Sequence, residues 1–131
     1  MNGQNKGDTL MDMISKHFSV KEFRCPSSGI LYVDPEFLAT LESLRELMKE
    51  PMMVTSGCRS LEHNNKVGGS IKSYHITTPL SPCRAADISV PNGHYRFKLI
   101  ELAIKVGFTG IGVYVSHVHL DNRQVAVLWR M

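Results

Sequence analysis

The sequence predicts an α+β fold in one domain: a small, mostly antiparallel sheet flanked by two main helices. Two segments carry an apolar stripe at helical spacing with clear start and stop signals, and four or five short apolar stretches between turn residues read as strands. The length of 131 residues suits a single core, and no repeat or low-complexity tract divides it.

Taken in order, residues 1–13 are polar, with Gly, Asn and Met, and read as a flexible N-terminal leader ahead of a domain spanning 14–131. FSVKEF at 18–23 forms a short turn or helix. Asp34–Glu50 is the clearest helix. Asp34 suits the cap and Pro35 the first helical position, while Phe37, Leu38, Leu41, Leu44 and Met48 form the core stripe and Pro51 ends it. Met52–Thr55 reads as a buried strand, Ser56-Gly57 as a turn, and Ser60–Lys66 as a short helix ended by Gly68-Gly69. Residues 76–84, with two prolines, form a loop. Ala85–Val90 is a strand and Pro91-Asn92-Gly93 a turn. His94–Val106 is the second helix, with Phe97, Ile100, Leu102, Ala103 and Val106 as its apolar set and Gly107 as its cap. Gly110–Val115, His117–Asp121 and Val125–Trp129 then read as two or three adjacent antiparallel strands, with Asn122-Arg123 at a tight turn.

Composition narrows the function. A hydrophobic fraction of 43% and a charged fraction of 21% exclude a disordered or fibrous chain. No apolar run reaches the roughly 18–20 residues of a membrane span, and no signal-peptide core precedes the domain. The net charge of +3 leans toward anionic partners, but without a basic cluster or aromatic platform nucleic acid is not expected. Three cysteines without a C-x-x-C pair argue against a disulfide framework or a cysteine zinc finger, with a Cys58–Cys83 bridge left open.

Three motifs carry chemistry. In His117-Val118-His119-Leu120-Asp121, strand alternation puts His117, His119 and Asp121 on one face, toward water or a cleft, and Val118 and Leu120 on the other. Two imidazoles and a carboxylate on a rigid strand suit a metal, and a solvated strand face is the alternative. Asp87 lies in the apolar strand AADISV and needs a metal or a basic partner there. His75 in Ser73-Tyr74-His75, Asp87 and His119 together match the three protein ligands of a catalytic zinc, against a capping Asp and a surface His taken singly. Arg59, in the loop Thr55-Ser56-Gly57-Cys58-Arg59-Ser60, can bind a carboxylate or an oxyanion, or lie solvated at a loop tip. The sequence contains no H-E-x-x-H, G-x-S-x-G, Walker loop or G-x-G-x-x-G. Gly110-Ile111-Gly112 lies inside a strand pattern.

These motifs, in this order, resemble the zinc D-Ala-D-Ala carboxypeptidase and L-alanyl-D-glutamate endopeptidase family of peptidoglycan peptidases, which share a hedgehog-like fold. The resemblance runs from about His17 to Arg123 through SKHFSVKEFRCP, DPEFLATLESLREL, VTSGCRSLEHNNKVGGS, SYH, RAADI, GFTGIGVY and HVHLDNR. It implies one zinc ion on His75, Asp87 and His119, with His117 or Asp121 as the catalytic base. It implies Arg59 as a substrate or transition-state contact and Ser73 as a substrate contact. The implied substrate is a peptidoglycan stem peptide, hydrolysed by a monomer that is cytoplasmic or delivered to the wall by a phage. Eleven residues separate His75 from Asp87, more than is usual in the family. The extra TPLSPC stretch is either a surface loop or a distortion of the site, and the latter would leave a non-catalytic wall- or peptide-binding module.

Overall fold

A computed structural model describes residues 12–131. Among the described residues, four helices and five strands make one α+β domain: α1 (Val20–Phe23), α2 (Pro35–Met48), β1 (Val54–Ser56), α3 (Leu61–Lys66), β2 (Ala85–Ser89), α4 (Gly93–Val106), β3 (Gly110–Val113), β4 (His117–Asp121) and β5 (Val127–Arg130). The sheet order is β1-β2-β4-β3-β5, and every pair is antiparallel except β3–β5. None of the described helices is long and apolar enough to cross a membrane.

Local chemistry sets each helix. The Asp34 carboxylate accepts the Phe37 N–H at 2.9 Å, and Pro35 fills the first turn of α2. Phe37, Leu41, Leu44 and Met48 are fully buried along its inner face. Each such side chain contributes about 1.5–3 kcal/mol relative to exposure. α2 closes at Lys49, whose φ of 57° reverses the chain ahead of Pro51. In α1, Ser19 and Glu22 form a reciprocal capping box.

α4 departs from the expected pattern. Asn92 caps it, and Tyr95, Leu99 and Ala103 are its buried face, while Phe97 is 70% exposed. Positions 95, 99 and 103 repeat every fourth residue, and Phe97 lies about 200° around the helix from Tyr95. Tyr95 reaches the core as an amphipathic ring, its hydroxyl donating to Pro51 O at 2.8 Å.

The C-terminal strands also differ from expectation. β3 and β4 form the antiparallel hairpin, but β5 does not fold back on β4 through Asn122-Arg123. The Asp121 carboxylate accepts the Arg123 N–H at 3.1 Å, and Thr109 Oγ1 donates to Arg123 O. These bonds, with the Val127 N–H to Thr109 O bond, carry the chain past the start of β3, so that β5 runs parallel along its free edge.

One sheet face, with Val54, Ala86, Ile88, Ile111, Val118 and Leu120, packs with α2 and α4 into the core. The opposite face carries the polar residues of β2 and β4. Of the leader expected at 1–13, residues 1–11 lie outside the described residues. Met13 pairs with Ser19, and Asp12 O accepts the Val20 N–H. Cys25, Cys58 and Cys83 are buried free thiols, so the Cys58–Cys83 bridge left open by the sequence is not formed.

Candidate metal centre

The site assembles as a row across the sheet. Asp87 of β2 stands opposite His119 of β4, which stands opposite Gly112 of β3, itself opposite Trp129 of β5. At the β1 end the register slips by one residue: Val54 pairs with Ile88 and Ser56 with Asp87. This bulge turns Val54 into the core while bringing Ser56 beside Asp87 on the site face. His75 joins from a loop that pairs with the segment after β1: Arg59 N–H donates to His75 O, and Thr77 N–H to Arg59 O, both at 2.8 Å.

Three acceptor atoms converge. His75 Nε2 lies 3.1 Å from Asp87 Oδ1, His119 Nδ1 lies 3.2 Å from the same oxygen, and the two imidazole nitrogens are 3.2 Å apart. The remaining nitrogen of each ring is committed. His75 Nδ1–H donates to Gly57 O at 2.6 Å, and His119 Nε2–H donates to Asp121 Oδ2 at 2.7 Å. Both lone pairs therefore point, with a carboxylate oxygen, at one place. Ligands about 2.0–2.1 Å from a tetrahedral zinc stand about 3.3 Å apart, so the triangle fits one face of that tetrahedron. The sequence separates these residues widely, and the 76–84 stretch leaves them together. It is pinched at its base, where Arg84 N–H donates to Tyr74 O at 3.0 Å, and Leu80 at its tip is almost fully exposed.

Electrostatics follow from this packing. Burial pushes the His75 imidazole below its ordinary pKa against the pull of Asp87. Burial would also lower His119, but hydrogen bonds and charge from Asp121 and Asp87 outweigh it and raise it. Burial would raise the Asp87 carboxyl, yet the bonds and charge of His119 and His75 hold it well below the usual carboxylate range. Three such acceptors need a positive species between them, a proton or a metal cation.

The other expected residues occupy distinct places. Arg59 is held by three partners: Nε on Ser56 Oγ at 3.1 Å, Nη1 on Asn64 Oδ1 at 3.1 Å, and Nη2 on Asp87 Oδ2 at 3.3 Å. His117 sits at the cleft, its Nε2 3.8 Å from Asp87 Oδ2 and its ring stacked on Tyr114 at 4.5 Å. Ser73 lines the cleft, and its hydroxyl accepts the His75 N–H at 3.1 Å. Asp121 is fully buried behind His119. Both its oxygens are taken up by the Arg123 guanidinium, at 2.9 and 2.6 Å, and by His119. The polar trio of β4 thus faces a cleft at His117 and His119 and an internal ion pair at Asp121.

Sequence reasoning missed the wall beside the metal centre. Trp129 lies 5.2 Å from the His119 ring and donates to Tyr114 Oη, and Arg123 packs over Trp129 at 4.7 Å and over Tyr74 at 5.1 Å. The signal was Gly110-Ile111-Gly112. A Cβ at Gly112 would stand 2.6 Å from the Trp129 ring, and one at Gly110 would collide with the Asp121 carboxylate. The cleft holds about 1080 Å³, room for several residues of a peptide.

Fold and site define a small α+β protein with a His-Asp-His triad, open to a cleft, arranged to hold a single metal ion. The family description peptidase M15 matches residues 16–121, and the chain belongs to that family, the zinc D-Ala-D-Ala carboxypeptidase family its motifs resemble. M15 peptidases are zinc-dependent, and the donor set here fits zinc. No curated protein matches the chain.

Proposed function

We propose that this metallopeptidase hydrolyses peptide bonds in the stem peptides of bacterial peptidoglycan, as a carboxypeptidase or an endopeptidase. The observation that carries the reading is the triangle of His75 Nε2, Asp87 Oδ1 and His119 Nδ1 at the floor of a peptide-sized cleft. These three residues would hold the zinc. When bound, zinc supplies Lewis acidity, polarising a carbonyl and making a water nucleophilic near neutral pH.

The chain's own residues supply the rest. His117, half-buried at the cleft with Nε2 3.8 Å from Asp87 Oδ2, beyond hydrogen-bond reach, accepts a proton from the attacking water and returns it to the leaving amine. Arg59, locked by Ser56, Asn64 and Asp87, presents a fixed guanidinium to the negative charge that develops on the carbonyl oxygen. Ser73 keeps its hydroxyl proton free for a substrate acceptor while it holds the His75 amide. Asp121 fixes the His119 tautomer and, with its oxygens already engaged, acts as a positioning residue.

The test is release of amino acids or peptides from purified peptidoglycan. Release is expected with zinc, stops with chelator, resumes on adding zinc back, and is absent in His119→Ala. Zinc bound stoichiometrically without release of any fragment would overturn the reading.

A further inference from the structure

The stretch between His75 and Asp87 spares the metal centre and builds one wall of the cleft. Its base is pinned by the Arg84 N–H to Tyr74 O bond, and Thr78 and Ser81 pair across it. The pinning sets the Arg84 guanidinium carbon 5.0 Å from the centre of the Tyr74 ring, the same ring that Arg123 covers. The two arginines differ in one respect. Arg123 spends Nε and Nη2 on Asp121. Arg84 has no carboxylate within ion-pair distance among the described residues. Asp87 is the one acidic residue lining the cleft among those described, and Arg59 and three imidazoles already face it. The Tyr74 wall therefore presents an uncompensated guanidinium to whatever enters.

We propose that Arg84, braced on Tyr74, is a specificity-determining residue that binds a carboxylate of the substrate peptide apart from the bond being cut. This rests on the peptidase reading above and deepens it by naming the charge the substrate must carry. A guanidinium fork matches a carboxylate in shape, and its stacking on an aromatic ring lowers the ordering cost of binding. Asp87 does not neutralise Arg84, because its oxygens already face Arg59 and three histidines. On a stem peptide the carboxylate comes from one of two sources, the C-terminus or the free carboxyl of the D-glutamyl residue.

The experiment uses the zinc-loaded full chain and three versions of an Ala-D-Glu-Lys-D-Ala-D-Ala peptide: free, C-terminally amidated, and amidated at the D-glutamyl carboxyl. Arg84→Gln is expected to raise KM on the order of fivefold, with kcat within about twofold, wherever the recognised carboxylate is present. The effect is expected to vanish on the version that lacks it, which identifies the source, and to shrink in about 0.5 M salt. Arg84→Lys, which keeps the charge and loses the fork, should fall between. Equal KM for Arg84→Gln and wild type on the free peptide, or an equal rise on all three, would overturn the proposal. Should the wild type cut none of the peptides, the peptidase reading falls, and fluorescence of Trp129 decides this one separately, since it is the chain's only tryptophan and lines the same cleft. A carboxylate-dependent change that Arg84→Gln lacks supports it, and the same change in both proteins overturns it.

Discussion

Asp121 never reaches the cleft, yet the metal centre depends on its charge. Its Oδ2 accepts a hydrogen bond from His119 Nε2–H, which leaves Nδ1 bare toward Asp87, and Arg123 compensates the buried carboxylate at 2.6 Å. Replacing it with an amide keeps the shape but puts an NH2 group against Arg123 or His119. Asp121→Asn is therefore expected to stay folded while zinc affinity falls about 10–100-fold, read by competition with a chromophoric chelator. Unchanged affinity would show that the His119 tautomer needs no carboxylate. At this scale the sequence was legible where chemistry is local. Period-two alternation put His117, His119 and Asp121 on one face, and an aspartate in an apolar strand demanded a partner. It was silent on Arg123, because whether the second residue after Asp121 turns back onto that carboxylate depends on where the chain goes next.

At the level of elements, amphipathic helices were readable to within a residue or two, but which face of a helix turns inward was not always so. α4 carries apolar residues around much of its circumference, so Phe97 and Tyr95 compete for the core in the sequence, and only packing chooses Tyr95. Leu99→Ala is expected to cost about 2–5 kcal/mol in chemical denaturation, whereas Phe97→Ser should stay within about 0.5 kcal/mol. β5 was found but mispaired, because a strand's direction is set by the connection, and the connection here is closed by a side chain, Asp121, rather than by a hairpin turn. The glycines of β3 are its counterpart. Gly112→Ala would push Trp129 from the wall by crowding its ring, with about 1–3 kcal/mol lost and a changed Trp129 emission maximum. An unaltered spectrum would mean the wall tolerates a methyl group there.

Across the whole molecule, the apolar core lies on one face of the sheet and the ionisable cluster on the other, so that cluster couples both stability and metal binding to pH. Glu42 holds Ser15 and His17 against α2, and burial would raise it, but those bonds keep it below its ordinary value. Asp87 and Asp121 are depressed more strongly. A carboxyl whose folded pKa is lowered stabilises the protein above its unfolded value, and that contribution is lost as pH falls through the folded one. Melting temperature should thus drop steeply below about pH 4. His119 works the other way: its raised folded pKa gives stability that is full below the unfolded value of about 6.5 and lost as pH rises through the folded one. His75, depressed by burial, acts in the adjoining interval: its contribution is gained as pH rises from its folded value to about 6.5 and is complete above that. Zinc competes with the proton that His119 would otherwise hold, so its stabilisation must grow as that proton leaves. Calorimetric scans from pH 5 to 8 should show the zinc-loaded and zinc-free melting temperatures diverging as pH rises. A gap that narrows with rising pH would mean that the bound metal does not displace a proton from this cluster, and that the cation sits elsewhere than among His75, Asp87 and His119.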